Sequence, residues 1–166
     1  MAATTDSKVQ PIHRVARELA ASSGFLLARL GLGFKARAVA RLEQAGFETY
    51  HYSVLAILDE GAHHTQATMA DALALDPSRL VAVLDSLEAR ELVVRQRDPQ
   101  DRRRHVVTIT DAGRRQLDEL RAIVRELEDE FLAPLDAERR ATLHDLLERL
   151  ACHNDPRCAF GSTASE

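Results

Sequence analysis

Two short runs rich in β-branched residues, LVVR at 92–95 and VVTIT at 106–110, stand in a chain whose other apolar residues recur at helical spacings. The segment DPQDRRRH at 98–105 separates the two runs. It is too long for a tight turn but suits an extended hairpin loop. Glycine and proline are scarce, with seven and five residues, which favours helices elsewhere. The pattern predicts a mainly α fold with one small β-hairpin wing.

The helix before this hairpin carries clear start signals. Asp76 is a good N-cap, and Pro77 occupies the first helical position, where its missing N–H costs nothing. Four apolar residues at helical spacing predict its buried face: Leu80, Val83, Leu84 and Leu87. Thr65 is predicted to cap a shorter helix just before it, and the short gap between the two resembles a helix-turn-helix. Together with the hairpin, this arrangement predicts a winged helix-turn-helix.

Longer helical segments flank the predicted winged domain. Residues 11–45 predict one N-terminal helix, and another helix ends at Gly61. Thr110 or Asp111 is predicted to cap a long helix whose apolar residues form a heptad seam, and a second copy of the chain is the simplest partner for it. The residues of this seam are Leu117, Leu120, Val124, Leu127 and Phe131. After Pro134, Asp136 is predicted to cap the last helix. The predicted order is a disordered tail (1–10), an N-terminal dimerisation helix (11–45), the winged domain (46–110), C-terminal dimerisation helices (111–152) and a flexible tail (153–166).

Charge is distributed unevenly along this chain, whose formal net charge is −4. The segment from Arg95 to His105 holds five arginines and two acidic residues, a local net charge of +3. The segment from Asp118 to Glu148 holds ten acidic residues and four arginines, a local net charge of −6. The total argues against a protein that coats nucleic acid generally, whereas the distribution indicates one basic and one acidic surface.

A winged helix-turn-helix places the first turns of its second helix in the DNA major groove. Ser78 and Arg79 are the predicted polar contacts, to base edges or phosphates, and Val81 or Ala82 would meet a thymine methyl group. The set of predicted DNA-binding residues also includes Thr65, Gln66 and Pro77. In the wing, an arginine among Arg102, Arg103 and Arg104 would enter the narrow, negative minor groove. Asp101 can hold one of them in position through a charge-assisted hydrogen bond.

Residues 76–114 resemble the signature of the MarR (multiple antibiotic resistance regulator) family. The matching pieces are Leu87-Glu88, Leu92-Val93, Asp98-Pro99-Gln100-Asp101-Arg102-Arg103, Val107-x-Ile109-Thr110 and Gly113-Arg114. The order of the surrounding helices also matches, so the resemblance covers about residues 12–152. It implies a homodimeric repressor on a pseudo-palindromic site in double-stranded DNA, with the first and the last two helices forming the dimer interface. It also implies that Arg103 enters the minor groove and that Asp101 orients it.

Two residues depart from the pattern of the family. Glu91 stands where members usually have a glycine before the Leu-Val strand, so the helix must end without an easy left-handed residue. Ala82 stands where many members carry an arginine or another polar residue, so the polar base contact of those members is not carried over to this position.

The resemblance further implies a small aromatic or phenolic effector that releases DNA. Five residues are predicted to bind such a ligand: Arg14, Lys35, Tyr50, His51 and Tyr52. The alternative is that the tyrosines and the histidine only cover edges of the core, with the ring buried and the polar tip in water.

Other classes of function find little support in the sequence. His63 and His64 are adjacent in a loop without a partner at metal-binding spacing, so we expect no metal and no cofactor. No Gly-rich phosphate loop, HExxH motif or nucleophile–base arrangement is present, so we expect no enzyme. The remaining alternative is a helical dimeric adaptor that binds proteins. The absence of an apolar leader or membrane-length segment predicts a cytoplasmic protein, in which Cys152 and Cys158 stay unpaired.

Overall fold

The predicted winged-helix order is confirmed in the part of the chain that the computed structural model describes, residues 15–61, 65–97 and 105–158. The elements within these ranges are α1 Arg17–Ala20, α2 Ser23–Gln44, α3 Thr49–Asp59, α4 Gln66–Ala72, α5 Pro77–Ala89, β1 Val93–Arg97, β2 His105–Ile109, α6 Asp111–Phe131 and α7 Ala137–Asn154. A 3-10 turn, Pro156–Cys158, follows α7. None of the described helices is both long enough and apolar enough to cross a membrane.

The first of two compact units ends at Ala36, within α2. Its helical segment differs from the single helix predicted over residues 11–45, because the described part is divided between α1 and α2. Ser22 lies at the break, where its hydroxyl accepts a hydrogen bond from the backbone N–H of Phe25 at 3.3 Å. A serine hydroxyl that satisfies a free N–H of a first helical turn starts a new helix at that point.

The second unit begins at Arg37 and contains the winged helix. Its core lies between α3, α4, α5, the hairpin and the first half of α6. The residues whose side chains are almost fully buried there are Leu42, Val54, Leu55, Met69, Leu80, Leu84, Leu87, Val93, Leu117 and Leu120. All four apolar residues predicted to form the inner face of α5 belong to this core, so that prediction is confirmed.

Four predicted N-caps start four of the helices. The side chains of Thr65, Asp76, Thr110 and Asp136 accept hydrogen bonds from the backbone N–H groups of the first turns of α4, α5, α6 and α7. Each such bond satisfies one of the N–H groups that a helix leaves without an internal partner. The starts of these helices therefore follow from local sequence.

The hairpin is antiparallel, with Val93 opposite Ile109 and Arg97 opposite His105. Its buried face carries Val93, Val107 and Ile109, whereas Val94 is exposed between them, as the two-residue period of a strand requires. Thr65 makes a single antiparallel bridge with Val106, so the helix-turn-helix is joined to the hairpin by backbone pairing.

The first turn of α6 packs directly on the start of β1. A methyl group on Gly113 would overlap the carbonyl oxygen of Leu92 and would lie 2.7 Å from Cγ1 of Ile109. The Thr110 hydroxyl also donates a hydrogen bond to the carbonyl oxygen of Glu91 at 2.8 Å. Glu91 itself has a φ of 60°, so this glutamate adopts the left-handed conformation for which the resemblance would lead us to expect a glycine.

The heptad spacing on α6 serves mainly this chain itself. Leu117 and Leu120 belong to the winged-domain core, and Leu127 is also buried. Our prediction that this spacing marks a seam for a second copy is therefore wrong for these three leucines. A 3–4 spacing of apolar residues is shared by coiled coils and by helices that pack on their own domain.

The last helix extends to Asn154, beyond the boundary predicted at residue 152, and the 3-10 turn occupies part of the predicted flexible tail. Leu146, Leu147 and Leu150 of α7 are exposed. In the first unit the exposed large apolar side chains are Val15, Leu19, Leu26, Leu27, Leu30 and Leu32. The predicted tail at 1–10 and the stretch 159–166 lie outside the described residues.

Candidate nucleic-acid interface

The start of α5 presents most of the residues predicted to read DNA. Ser78, Arg79, Val81 and Ala82 are all exposed on its first turns, and Pro77 is exposed at its first position. The Ser78 N–H is bound by the Asp76 carboxylate at 2.8 Å. The remaining free N–H groups and the positive end of the helix dipole make such a terminus attractive to phosphate.

Thr65 and Gln66 lie at the start of α4. The Thr65 hydroxyl accepts a hydrogen bond from the Thr68 N–H at 3.2 Å, and Thr65 is only partly exposed. Its main role in the free protein is therefore to cap α4 and to pair with β2. Its contact with DNA stays a prediction.

Arg79 forms an ion pair with Glu48, the N-cap residue of α3. The Arg79 Nη2 donates to Glu48 Oε2, and both side chains remain about half exposed, at 51% and 50%. The residue predicted to contact bases is thus bound by a neighbouring helix on the surface that would face DNA.

The turn that carries Glu48 is anchored on its inner side. Nδ1 of His51 accepts a hydrogen bond from the Glu48 N–H at 2.9 Å, and the imidazole packs edge-on against Phe47 with ring centres 5.9 Å apart. Arg90, the C-cap residue of α5, lies 4.6 Å above the Phe47 ring and donates to the Gly46 carbonyl at 2.9 Å. Arginine contacts from both ends of α5 therefore meet on the turn at residues 46–48.

His51 is 4% exposed. Burial lowers the pKa of its imidazole, Glu48 opposes this, and Arg90 and Arg79 add to the lowering. A neutral imidazole whose Nδ1 accepts a hydrogen bond carries its proton on Nε2. This arrangement favours the alternative reading of His51 as an edge of the core.

The other predicted ligand residues are distributed along the chain. Tyr50 and Tyr52 are half-buried against the core, and Lys35 is exposed on the part of α2 that belongs to the first unit. Arg14 lies outside the described residues. A common ligand site for these residues therefore stays a prediction.

The base of the wing is bound to α5 through Arg95. Its side chain, 17% exposed, forms an ion pair with Asp85 and lies 3.4 Å from Glu88 through Nε. The Arg95 backbone N–H also donates to Glu88 Oε1 at 3.3 Å. Two acidic residues of α5 thus neutralise one of the five arginines that make residues 95–105 basic. Arg95 holds the hairpin against the helix rather than contributing to a free basic surface.

Asp101, Arg102, Arg103 and Arg104 lie outside the described residues, as do His63 and His64. The two strands that flank this segment are described, and each of their ends lies within two residues of its predicted position. In the parts of the chain that are described, no three His, Cys, Asp or Glu side chains are grouped so that they would hold a metal ion.

Asp59 joins the end of α3 to α6. Its carboxylate accepts hydrogen bonds from Arg121 at 2.9 Å and from Arg114 at 3.0 Å. Hydrogen bonds from Arg121 and Arg114 hold the pKa of Asp59 below its ordinary value. The Gly113-Arg114 pair of the resemblance thus has two structural tasks, which are close packing at the glycine and an ion pair at the arginine.

Sequence reasoning missed Glu48, Arg90 and the acidic partners of Arg95. A signal for one of them is the spacing of Glu48 and His51, which places a side-chain acceptor three residues after an N-cap, as in a capping box. Ion pairs between distant segments such as Glu48–Arg79 leave no periodic trace in a single sequence.

Comparisons with known proteins agree with this geometry. The model of the MarR family matches residues 50–105. The HTH-type transcriptional repressor NicR of Pseudomonas putida is 31% identical over 98 residues, which are 59% of this chain and 61% of that protein. The chain spans 60–61% of the length of this repressor and of a regulatory protein from Thauera aromatica.

Solved structures match over a larger share of the chain. A MarR-family transcriptional regulator from Rhodococcus sp. RHA1 has a TM-score of 0.69 and 30% identity, covering 82% of this chain and 98% of that one. CouR of Rhodococcus jostii RHA1, bound to p-coumaroyl-CoA, has a TM-score of 0.67 and 32% identity, covering 82% and 96%. The resemblance inferred from residues 76–114 is therefore confirmed: the chain belongs to the MarR family.

Proposed function

We propose that the protein is a homodimeric, DNA-binding transcriptional repressor. The observation that carries this proposal is the exposed first turn of α5 beside a hairpin that Arg95 holds at a fixed place. Two elements that contact DNA in a winged helix are then presented together before DNA binds. A structure of CouR bound to a 23-mer DNA duplex, with a TM-score of 0.72 and 31% identity to this chain, supports the proposal.

In this proposal the recognition helix α5 reads the major groove and the wing reads the minor groove. Ser78 and Arg79 make the polar contacts, while Val81 and Ala82 approach thymine methyl groups. Thr65, Gln66 and Pro77 meet the backbone near the helix starts. Asp101, Arg102, Arg103 and Arg104 form the wing tip, with Arg103 in the groove and Asp101 holding it.

Exposed leucines on the terminal helices supply the proposed dimer interface. Leu26, Leu27 and Leu30 on α2, and Leu146 and Leu150 on α7, are between 42% and 53% exposed. Apolar side chains grouped on one helix in this way mark an interaction surface in a water-exposed protein. A two-fold dimer matches a pseudo-palindromic DNA site with half-sites about 10 bp apart.

A small aromatic or phenolic ligand is the proposed effector, and Tyr50 and Tyr52 are its proposed contacts. CouR is described in complex with p-coumaroyl-CoA, and a MarR-family protein of Mycobacterium tuberculosis with p-aminosalicylic acid. Ligand binding that disfavours the DNA-bound arrangement needs no chemical step. We therefore propose a regulator without catalytic activity that acts in the cytoplasm, where it meets DNA.

The decisive test is selection of DNA by the protein. A random duplex library is enriched on the full chain, and affinity for the enriched duplex is measured over a salt series. A specific pseudo-palindrome with steeply salt-dependent affinity supports the proposal. Equal affinity for a scrambled duplex of the same composition, or no binding, contradicts it and leaves the protein-binding adaptor as the better reading.

Substitution Arg103→Ala tests the wing. One lost phosphate or minor-groove contact should make the negative slope of log affinity against log salt less steep by about 1. The matched control is Arg157→Ala, because Arg157 lies after α7 and is paired with Asp155. Equal salt slopes for both variants would place the DNA contact elsewhere on the protein.

A further inference from the structure

The Glu48–Arg79 pair has an unusual position for a surface ion pair. Arg79 belongs to the first turn of the proposed recognition helix, and its side chain is about half exposed. A free carboxylate at a surface that faces DNA repels phosphate and weakens binding to every sequence. Glu48 is not free, however, because its carboxylate is engaged by the Arg79 guanidinium.

The backbone beneath Glu48 is fixed more firmly than its exposed side chain suggests. The His51 imidazole binds the Glu48 N–H, and Arg90 binds the Gly46 carbonyl, so both sides of the turn are held. Phe47, buried between them, packs against both His51 and Arg90. The carboxylate therefore projects from a turn that cannot shift without breaking several contacts.

A guanidinium has five N–H donors in one plane. In this pair Glu48 occupies a donor on Nη2 of Arg79, whereas Nη1 is not involved. A carboxylate bound at Nη2 restricts the orientation of the guanidinium and lets its Nη1 side face a guanine or a phosphate. A long arginine side chain held in this way loses less rotational freedom on binding DNA.

We propose that Glu48 is a positioning residue for sequence recognition, which acts by orienting Arg79 toward DNA. The inference rests on the proposed function, since it assigns Glu48 a role in the discrimination that Arg79 would provide. It extends the DNA-reading site to the start of α3. The competing interpretation is that Glu48 only masks Arg79, so that DNA must displace it.

The test compares two substitutions of Glu48, one that changes the charge of the side chain and one that changes its length. Glu48→Gln keeps the length of the side chain and removes the charge, whereas Glu48→Asp keeps the charge and shortens the side chain by one methylene group. Each variant, with Arg79→Ala and the double variant Glu48→Gln/Arg79→Ala, is titrated with the duplex that the parent protein selects and with its scrambled version. Glu60→Gln, the same charge removal at the other end of α3, is the control.

The measured quantity is the ratio of affinities for the selected and scrambled duplexes. Both Glu48 variants should lower this ratio about three- to five-fold, while Glu60→Gln leaves it unchanged. In the Arg79→Ala background Glu48→Gln should have no further effect on the ratio. Thermal unfolding of each variant shows whether the fold is kept. Glu48→Asp retains a carboxylate at the N-cap of α3, so we expect this variant to keep the start of the helix.

An unchanged ratio in both Glu48 variants, with a selective parent, overturns the inference and leaves the proposed function standing. A ratio that rises in Glu48→Gln would mean masking and would overturn it too. A further fall in the Arg79→Ala background also contradicts it, because Glu48 would then act without Arg79. A parent that selects no sequence removes both the inference and the proposed function.

Discussion

Three arginines on or beside α5 are already bound within the chain. Arg79 is bound by Glu48, Arg90 by the Gly46 carbonyl, and Arg95 by Asp85 and Glu88. A count of charges along the sequence therefore overstates the positive charge that is free to meet phosphate. At the scale of single residues, position and partner decide what an arginine does, and neither is visible in composition.

Gly113 provides the sharpest prediction at this scale. Gly113→Ala places a methyl group against the Leu92 carbonyl, and it should lower the free energy of unfolding by about 2 kcal/mol or more. Urea denaturation at fixed protein concentration measures the change. Ala122→Gly, at an exposed position of the same helix, is the comparison and should cost only about 1 kcal/mol. A stabilised Gly113→Ala protein would mean that α6 does not pack on β1 this closely.

Among the residues that the structure describes, two adopt a left-handed backbone without being glycine. They are Ala74, with φ of 50°, and Glu91, with φ of 60°. Ala74→Gly and Glu91→Gly should each raise the free energy of unfolding by about 0.5–1 kcal/mol, because the steric cost of this conformation exceeds the entropy that glycine adds. Ala89→Gly, within α5, should have the opposite sign. Denaturation midpoints that fall in all three variants would contradict the assigned backbone.

At the scale of elements, four of the helix starts were predictable from the sequence, whereas the partners on which the helices pack were not. The caps Thr65, Asp76, Thr110 and Asp136 act through bonds to the next few residues, so a short stretch of sequence suffices to place them. The break at Ser22 was missed because a helical apolar spacing continues through it. The partner of α6 was misassigned because the same spacing suits either this domain or a second chain.

The start of α3 gives a prediction about pH. The pKa of His51 is lowered in the folded protein, chiefly by burial, so the folded chain binds fewer protons than the unfolded one. Its contribution to stability is full above the unfolded value of about 6.5 and is lost as pH falls below it. Urea denaturation at pH 7.5, 6.5 and 5.5 should show this loss in the parent protein.

His51→Gln should reduce the dependence on pH, because glutamine can accept the Glu48 N–H without titrating. His144→Gln, at an exposed position of α7, is the control and should leave the dependence as in the parent protein. The assignment to His51 is wrong if the parent and the His51 variant lose the same free energy between pH 7.5 and 5.5.

At the scale of the whole molecule, the family and the winged fold followed from the sequence because the motif at residues 76–114 is long and ordered. Only part of the proposed DNA site could be predicted from the sequence. The exposure of Ser78, Val81 and Ala82 could be predicted from helical periodicity, whereas the ion pair of Arg79 required the fold. Leu117 shows the limit of pattern alone, since a buried leucine and an interface leucine look identical in sequence.

The oligomeric state is the prediction that belongs to this scale. The double substitution Leu146→Glu/Leu150→Glu should convert a dimer of twice the 18.4 kDa chain mass into a monomer, because it places charges on the exposed apolar residues of α7. Light scattering coupled to gel filtration measures the mass. Ala141→Glu, at another exposed position of α7, should remain dimeric. A parent protein that is monomeric at micromolar concentration would contradict the proposed assembly.

The close contact of Gly113 with Leu92 has a mechanical consequence. The backbones of α6 and the start of β1 touch here without a side chain between them, so we expect a tilt of the helix to carry the base of the wing with it. A helix rises about 1.5 Å per residue, so a position 13 residues from the point about which the helix turns lies about 20 Å from that point. A tilt of about 10° moves such a position by about 3.5 Å. This displacement is about the rise of one base pair. A small tilt of α6 would thus displace the base of the wing along DNA by about one base pair.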